Sequence, residues 1–485
     1  MKEKLIISKF TLLVLIAFQG FTQTNYLEQS WQQQVKGMDN YFLTYQFTES
    51  SNQLGHSFYP WQQTNYQVNG QIWYNSEEFS KLDTLKSGKH VYTSKTVLKE
   101  AEMLLLDFGN KDLTQITTNF FEDQTYKTAR YSPARILNYF VSNKISISNE
   151  SDQTYAIYET TINKTIVKLH INKHNNLLSK LVTISDDELF GDVETEYIYS
   201  NYTIIGSLFV ALNIDIKKIN GKILDQVRLN NGEITDGIPS LLERPENYKL
   251  TDEVPAQIHI TTEKYNDNIY LLELKHTDDK ILIVEFTNFL LVAEAPLNSE
   301  NGELIIEEAR KIAPMKPIRY FVFGHYHPHY LGGIRPFVQK GAKIITSKQN
   351  MEYVSFIVNA EHTINPDSLQ IDPKPLVFEE IKDSLKISDG KTEMTIYFIG
   401  EKSFHTKDYL IYYFPNEKIL FEDDLVWISK SGELKKASNR QAGLFNAIKD
   451  LGIEVKTIIQ SWPVKDYGVK TVIPFEDLEK SVNIK

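Results

Sequence analysis

Three histidines fall within five residues in the segment Gly324-His325-Tyr326-His327-Pro328-His329-Tyr330-Leu331-Gly332-Gly333. Imidazole nitrogens are good donors to a divalent cation, and zinc suits them best. The segment follows a largely apolar run over residues 318–323, which reads as a buried strand, and it leads into a helix over residues 334–340. At a strand end, alternate side chains point to one side, so His325 and His327 reach one ion together, with His329 close behind. Gly332 and Gly333 are expected to let the chain turn tightly into the helix. Two other histidines lie between Tyr320 and Lys485. His405 sits in the loop Gly400-Glu401-Lys402-Ser403-Phe404-His405-Thr406, after a strand over residues 394–399; His362 lies in a polar stretch with no matching motif. Asp424 closes the next hairpin, in Phe421-Glu422-Asp423-Asp424-Leu425. A solvated histidine run would bind metal only adventitiously. Placement at a strand end, with His405 and Asp424 at later strand ends, favours a built site.

The elements that must position these residues come from hydrophobic period. Consecutive strands are expected over residues 258–262, 269–275, 281–286 and 289–293, then a helix over 304–312 following Asn301-Gly302. Further on come a strand at 343–346, a helix at 349–358, strands at 409–414 and 418–421, a helix at 440–451 and a strand at 456–460. Strands alternating with helices imply sheets covered by helices. Ahead of this, residues 25 to about 245 read as mostly β. Stretches 65–74, 154–171, 178–184 and 193–199 alternate apolar and polar residues, with Asn, Asp and Gly between them. Helix-like segments interrupt near 95–106 and 132–141. Residues 242–257, with Pro245, Pro255 and several charges, read as the linker. The histidines of the first half (His56, His90, His170, His174) are scattered and read as surface or structural.

A chain of 485 residues exceeds one ordinary core, which agrees with two domains. Apolar residues make up 41% and charged residues 24%, as in globular proteins. With 63 acidic against 52 basic residues the net charge is −11, which argues against a nucleic-acid partner. There is no cysteine, so disulfides and thiolate ligands are excluded. Lys2, Lys4 and Lys9 precede an apolar run over residues 10–18, and Gly20-Phe21-Thr22 supplies small residues for cleavage after Thr22. This reads as a cleavable signal peptide over residues 1–22, hence export to a periplasmic or extracellular space. The run is shorter than the roughly 20 residues that a membrane span needs, and no transmembrane segment is expected elsewhere.

The histidine segment resembles the metallo-β-lactamase superfamily, whose signature is His-x-His-x-Asp-His, often followed by x-Gly-Gly. The likeness extends through Ile334-Arg335-Pro336-Phe337-Val338 and Gly341-Ala342-Lys343-Ile344-Ile345-Thr346. It takes in Val292-Ala293-Glu294-Ala295-Pro296, His405 and Pro415-Asn416-Glu417-Lys418-Ile419-Leu420-Phe421 up to Asp424, and covers residues 257–485. The resemblance implies an α+β chain: an αββα sandwich preceded by a mostly β domain over residues 23–245. It implies that His325, His327 and His405 hold a first zinc, and that Asp424 is the carboxylate bridging two metals. Three positions depart from the pattern. His329 replaces the signature Asp, Tyr330 replaces its last His, and Trp462, in Gln460-Ser461-Trp462-Pro463, stands where the final His falls. One zinc is therefore expected, with the second site altered.

The activity so implied is a secreted zinc-dependent hydrolase that cleaves an ester, lactone or amide of a small molecule through a metal-bound hydroxide. In it His329 serves as a ligand or base, Tyr330 donates to a developing oxyanion, and Asp424 orients the water or a second ion. Glu294 is a candidate partner for a ligand histidine, against a default of a solvated carboxylate. The alternative is a relative with impaired catalysis, acting as a ligand-binding or structural protein, in which Trp462, Tyr326 and Tyr330 fill the old second-metal space. An extracellular nuclease is a third reading, and the acidic balance speaks against it.

Overall fold

A computed structural model of the chain describes residues 25–484, except 56–57, 100–101, 108–111, 116–117, 239–248, 251–257 and 463–466. The signal peptide lies outside the described residues, as does the linker apart from Lys249–Leu250, a short strand. Among the described residues, strands form three sheets of thirteen, seven and six.

The thirteen-stranded sheet takes its strands from residues 42–250 and is antiparallel, apart from the parallel pair formed by Lys249–Leu250 with Asp112–Gln115. Its strands show why period two was readable: Thr165–Asn172 alternates buried and half-buried positions along its whole length. The buried face packs on helices Tyr26–Gln34 and Ala134–Ser142, with Leu27, Ile136, Leu137 and Phe140 against Leu43, Tyr45, Leu169 and Val227. The helix near residues 132–141 is therefore present. The one near 95–106 is not, since His90–Lys99 and Glu102–Asp107 form an antiparallel hairpin there. The local Lys-Glu-Ala-Glu pattern favours a helix only weakly, and pairing across the sheet overrides it.

The remaining sheets form a sandwich. The seven-stranded sheet places Leu290–Ala293, Ile318–Val322, Lys343–Ser347 and Phe378–Ile381 in parallel at one side. The six-stranded sheet runs from Ser384–Ser388 to Val472–Pro474. Between them lies one core: Leu282, Val284, Leu291 and Val322 face Met394, Ile396, Tyr412, Phe421 and Ile459. On the outer face of the first sheet, Ile305, Ile306, Phe337, Val354 and Ile357 bring three helices against Leu272, Ile283 and Phe321. On the outer face of the second, Leu444, Ile448 and Leu478 pack on Ile411, Leu420 and Ile458. The layers are thus helix, sheet, sheet, helix. Strands with both faces covered are buried throughout, as Leu410–Phe414 is.

Two local expectations change. Helix Ser299–Ile312 begins ahead of Asn301-Gly302, because the Asn298 side chain caps it by accepting from Asn301 N at 3.0 Å. Gly332 and Gly333 both have ordinary negative φ, −56° and −88°, so no tight turn requires them. Close approach does. A Cβ on Gly332 would lie 2.3 Å from Leu297 O, and one on Gly302 would lie 2.3 Å from Gly333 O. The histidine segment is seated backbone to backbone on the start of that helix.

Candidate metal centre

His325 and His327 follow the end of strand Ile318–Val322, His405 follows Glu393–Phe398 after a short turn, and Asp424 follows Ile419–Glu422. Ligand sites in open sheets gather at such strand ends. His325, His327 and His405 are all buried, and one ring nitrogen from each lies within 4.8 Å of the others. His325 Nε2 and His327 Nδ1 are 2.9 Å apart. Three imidazoles converging in this way make a neutral nitrogen donor set, which fits zinc and leaves room for a fourth ligand.

Buried carboxyls fix the rings. His325 Nδ1 lies 2.6 Å from Asp423 Oδ2, which leaves Nε2 for the centre. Asp423 has room there because residue 324 is glycine: a Cβ on it would lie 2.2 Å from Asp423 Oδ2. Behind Asp423 stands Glu294, fully buried, accepting from Tyr412 OH at 2.7 Å and Gly324 N at 3.2 Å. It is no solvated carboxylate. Burial pushes the Glu294 carboxyl up to about 8 and that of Asp423 well above its usual range, and the two hydrogen-bond to each other. Asp424 behaves oppositely. Burial would raise it, but His405 and then Arg440 outweigh that and hold it below the usual carboxylate range. Its Oδ2 lies 3.0 Å from His405 Nε2 and 3.2 Å from Arg440 Nη1.

None of the residues at the departed positions belongs to the three-histidine group. His329 is half-buried, with Nδ1 3.0 Å from Asp279 Oδ1 and its ring 5.1 Å from Trp462. It is not part of the three-histidine group. Tyr330 is fully buried behind His325, the rings 4.4 Å apart, and burial followed by the nearby carboxylates keeps its phenol protonated. Trp462 packs 6.1 Å from Trp427. A cavity of about 650 Å³ opens onto the triad, lined by His327, His405, Asp424, Phe404, Trp427, Trp462 and the first turn of helix Asn439–Leu451, including Arg440. Tyr330 is not among its lining residues.

The thirteen-stranded sheet also reaches the site. Its first two strands, Phe42–Leu54 and Gln63–Tyr74, are joined by a tip that touches both ligand segments. Gly55 O accepts from Tyr326 OH at 3.3 Å, between the two ligand histidines, and Phe58 O accepts from Lys407 N at 3.0 Å, two residues beyond His405. Trp61 anchors the tip. Its ring centroid lies 5.7 Å from Phe190, 5.0 Å from Tyr353 and 4.9 Å from Phe356, with Lys222 Nζ 4.5 Å above it and Nε1 donating to Glu352 at 2.8 Å.

Sequence reasoning singled out the three histidines and Asp424, which the structure brings together, but did not single out Asp423, Asp279, Arg440 or the hairpin tip. Asp423 had a signal, since neighbours on a strand end point to opposite sides and two acids in a row can serve two histidines. For the hairpin tip no signal exists in the local sequence.

The C-terminal half is an αββα sandwich, two facing sheets covered by helices, with three histidines meeting at its strand ends. Among solved structures, similar chains include a metallo-β-lactamase from Pontibacter korlensis, at 16% identity and a TM-score of 0.34, with 46% of this chain and 97% of that one covered. The metallo-β-lactamase FIM-1 from Pseudomonas aeruginosa, in its mono-zinc form, matches at 20% identity and a TM-score of 0.34, covering 47% and 95%. A flavoprotein from Thermotoga maritima matches at 14% identity and a TM-score of 0.32, covering 47% and 61%. No protein-family model matches the chain, and no curated protein does.

Proposed function

We propose that the chain is an exported, zinc-dependent hydrolase that cleaves an ester, lactone or amide bond in a small molecule. The observation that carries this reading is the buried triad His325, His327 and His405, oriented by Asp423 and opening onto a cavity. His325, His327 and His405 would hold the zinc, which would supply Lewis-acid chemistry and activate a water near neutral pH. The chain's own residues supply the rest. Asp424, beside His405 and Arg440 at the cavity wall, would accept a hydrogen bond from the attacking water and orient it. Arg440 sets a positive charge at the cavity wall, beside the place where an oxyanion develops. Asp279 holds His329 beside Trp462, behind the cavity lining. Tyr330, buried, packs behind His325 and holds its ring.

Metal analysis of protein purified without chelator tests this first, with one zinc per chain expected. Turnover of an ester and lactone panel, abolished by His327→Ala, tests it second. A preparation that holds no zinc sinks the proposal. One observation favours a second reading, a ligand-binding relative without turnover: His329, Tyr330 and Trp462 occupy the positions that the resemblance gives to ligands of a second metal. Zinc at one per chain with no turnover across the panel selects that reading.

A further inference from the structure

Phe404 is an exposed aromatic held in a strained backbone conformation. It stands immediately before His405, in the left-handed region at φ 52°, and is 59% exposed. A non-glycine residue there is strained, and an aromatic side chain in water adds no compensating burial. The fold nevertheless enforces the arrangement. Across from Phe404, helix Asn439–Leu451 carries Gly443, where a Cβ would lie 2.7 Å from Phe404 Cδ2 and 2.2 Å from Lys402 O. The glycine admits the loop, and the loop presents the ring at the cavity.

The far wall is aromatic too. Trp427 is 36% exposed, and its indole N–H is already engaged by Asp424 O at 2.9 Å, so its ring orientation is set. It lies 5.1 Å from Tyr467 and 6.1 Å from Trp462, the latter at an interplanar angle of 30°. Single exposed aromatics are ordinary on protein surfaces. Here Phe404, Trp427 and Trp462 line one cavity of about 650 Å³ together with His327, His405, Asp424 and Arg440. A cavity of that size takes a one- or two-ring molecule.

We infer that the substrate is a carboxylic acid derivative bearing a planar aromatic group. The group lies against Phe404 and Trp427, while the carbonyl end lies by His405, Asp424 and Arg440. This rests on the hydrolase reading for the reaction but not for the binding. Ring faces reward a flat partner by stacking beyond the area buried, which separates an aromatic ligand from a saturated one of equal size.

The test is binding of 2-naphthoate and of its saturated analogue, decahydro-2-naphthoate, to the full chain, read by quenching of tryptophan fluorescence. The aromatic acid is expected to bind about 2- to 10-fold more tightly. That preference is expected to vanish in Phe404→Leu and in Trp427→Leu, with near-ultraviolet circular dichroism and zinc content checked in each. Equal affinity for the two acids, no saturable quenching by either, or an unchanged preference in both variants overturns the inference. Naphthoate binding with the expected preference but no turnover of aryl esters leaves the aromatic site standing and removes the hydrolase.

Discussion

Replacing Trp61 with alanine should weaken zinc binding from a position in another sheet. The indole contacts three aromatic rings, each pair contributing about 0.5–1.5 kcal/mol beyond area, and it donates a hydrogen bond to Glu352 under the Lys222 ammonium. Trp61 is half-buried, so its removal falls at the low end of the range for truncating tryptophan, about 3 kcal/mol. That energy holds the hairpin tip on Tyr326 and Lys407, which flank the ligands. By linkage, the metal cannot lose more affinity than the docking energy supplies, a ceiling of roughly 100-fold. We expect a loss of about 10-fold or more, as for outer partners of metal ligands. The assay is competition for zinc with a chromophoric chelator at fixed pH, alongside limited proteolysis near the tip. Zinc affinity within a factor of two of the parent, despite a tip newly open to protease, would refute the coupling.

Asp423→Ala removes the acceptor of His325 Nδ1 and should lower zinc affinity about 10- to 100-fold in the same competition assay, with the thermal midpoint as a control. Arg335 is buried and pairs with Asp367 at 2.6 Å while donating to the carbonyls of Ile357, Val358 and Ala360; Arg335→Met should lower stability to urea by about 3–5 kcal/mol. The same pair sets a pH dependence. Burial raises Asp367, but Arg335 outweighs it and holds the carboxyl at about 2. A depressed carboxylate stabilises the fold above its unfolded pKa, near 4, and loses that contribution as the pH falls towards 2. The parent urea midpoint should drop across that window, and the drop should shrink in Arg335→Met. Gly302→Ala sets helix propensity, about 1 kcal/mol in favour, against a methyl 2.3 Å from Gly333 O. A backbone oxygen cannot swing aside, so the thermal midpoint should fall, by an amount matching about 1–3 kcal/mol.

The sandwich was legible because its strands carry a buried run or an alternation long enough to read, and because the candidate ligands sit where such runs end. His325, His327, His405 and Asp424 needed only that rule. What lay beyond it was set by contacts between distant segments. Asp423 meets His325 across the two sheets, and Arg440 meets Asp424 from the start of a helix. The strands at His90–Lys99 and Glu102–Asp107 were misread for the same reason, since pairing with neighbours outweighed a local helical pattern.

The contact between Gly302 and Gly333 alters what the motif is worth as a diagnostic. The glycines that close the histidine segment serve the seating of a helix on a loop, and they touch no ligand atom. A chain that had lost every histidine here would still need them in order to fold. The pair therefore marks architecture. Only the side chains aimed into the cavity speak for chemistry, and a search that weighs both kinds of residue alike will gather empty sites along with filled ones.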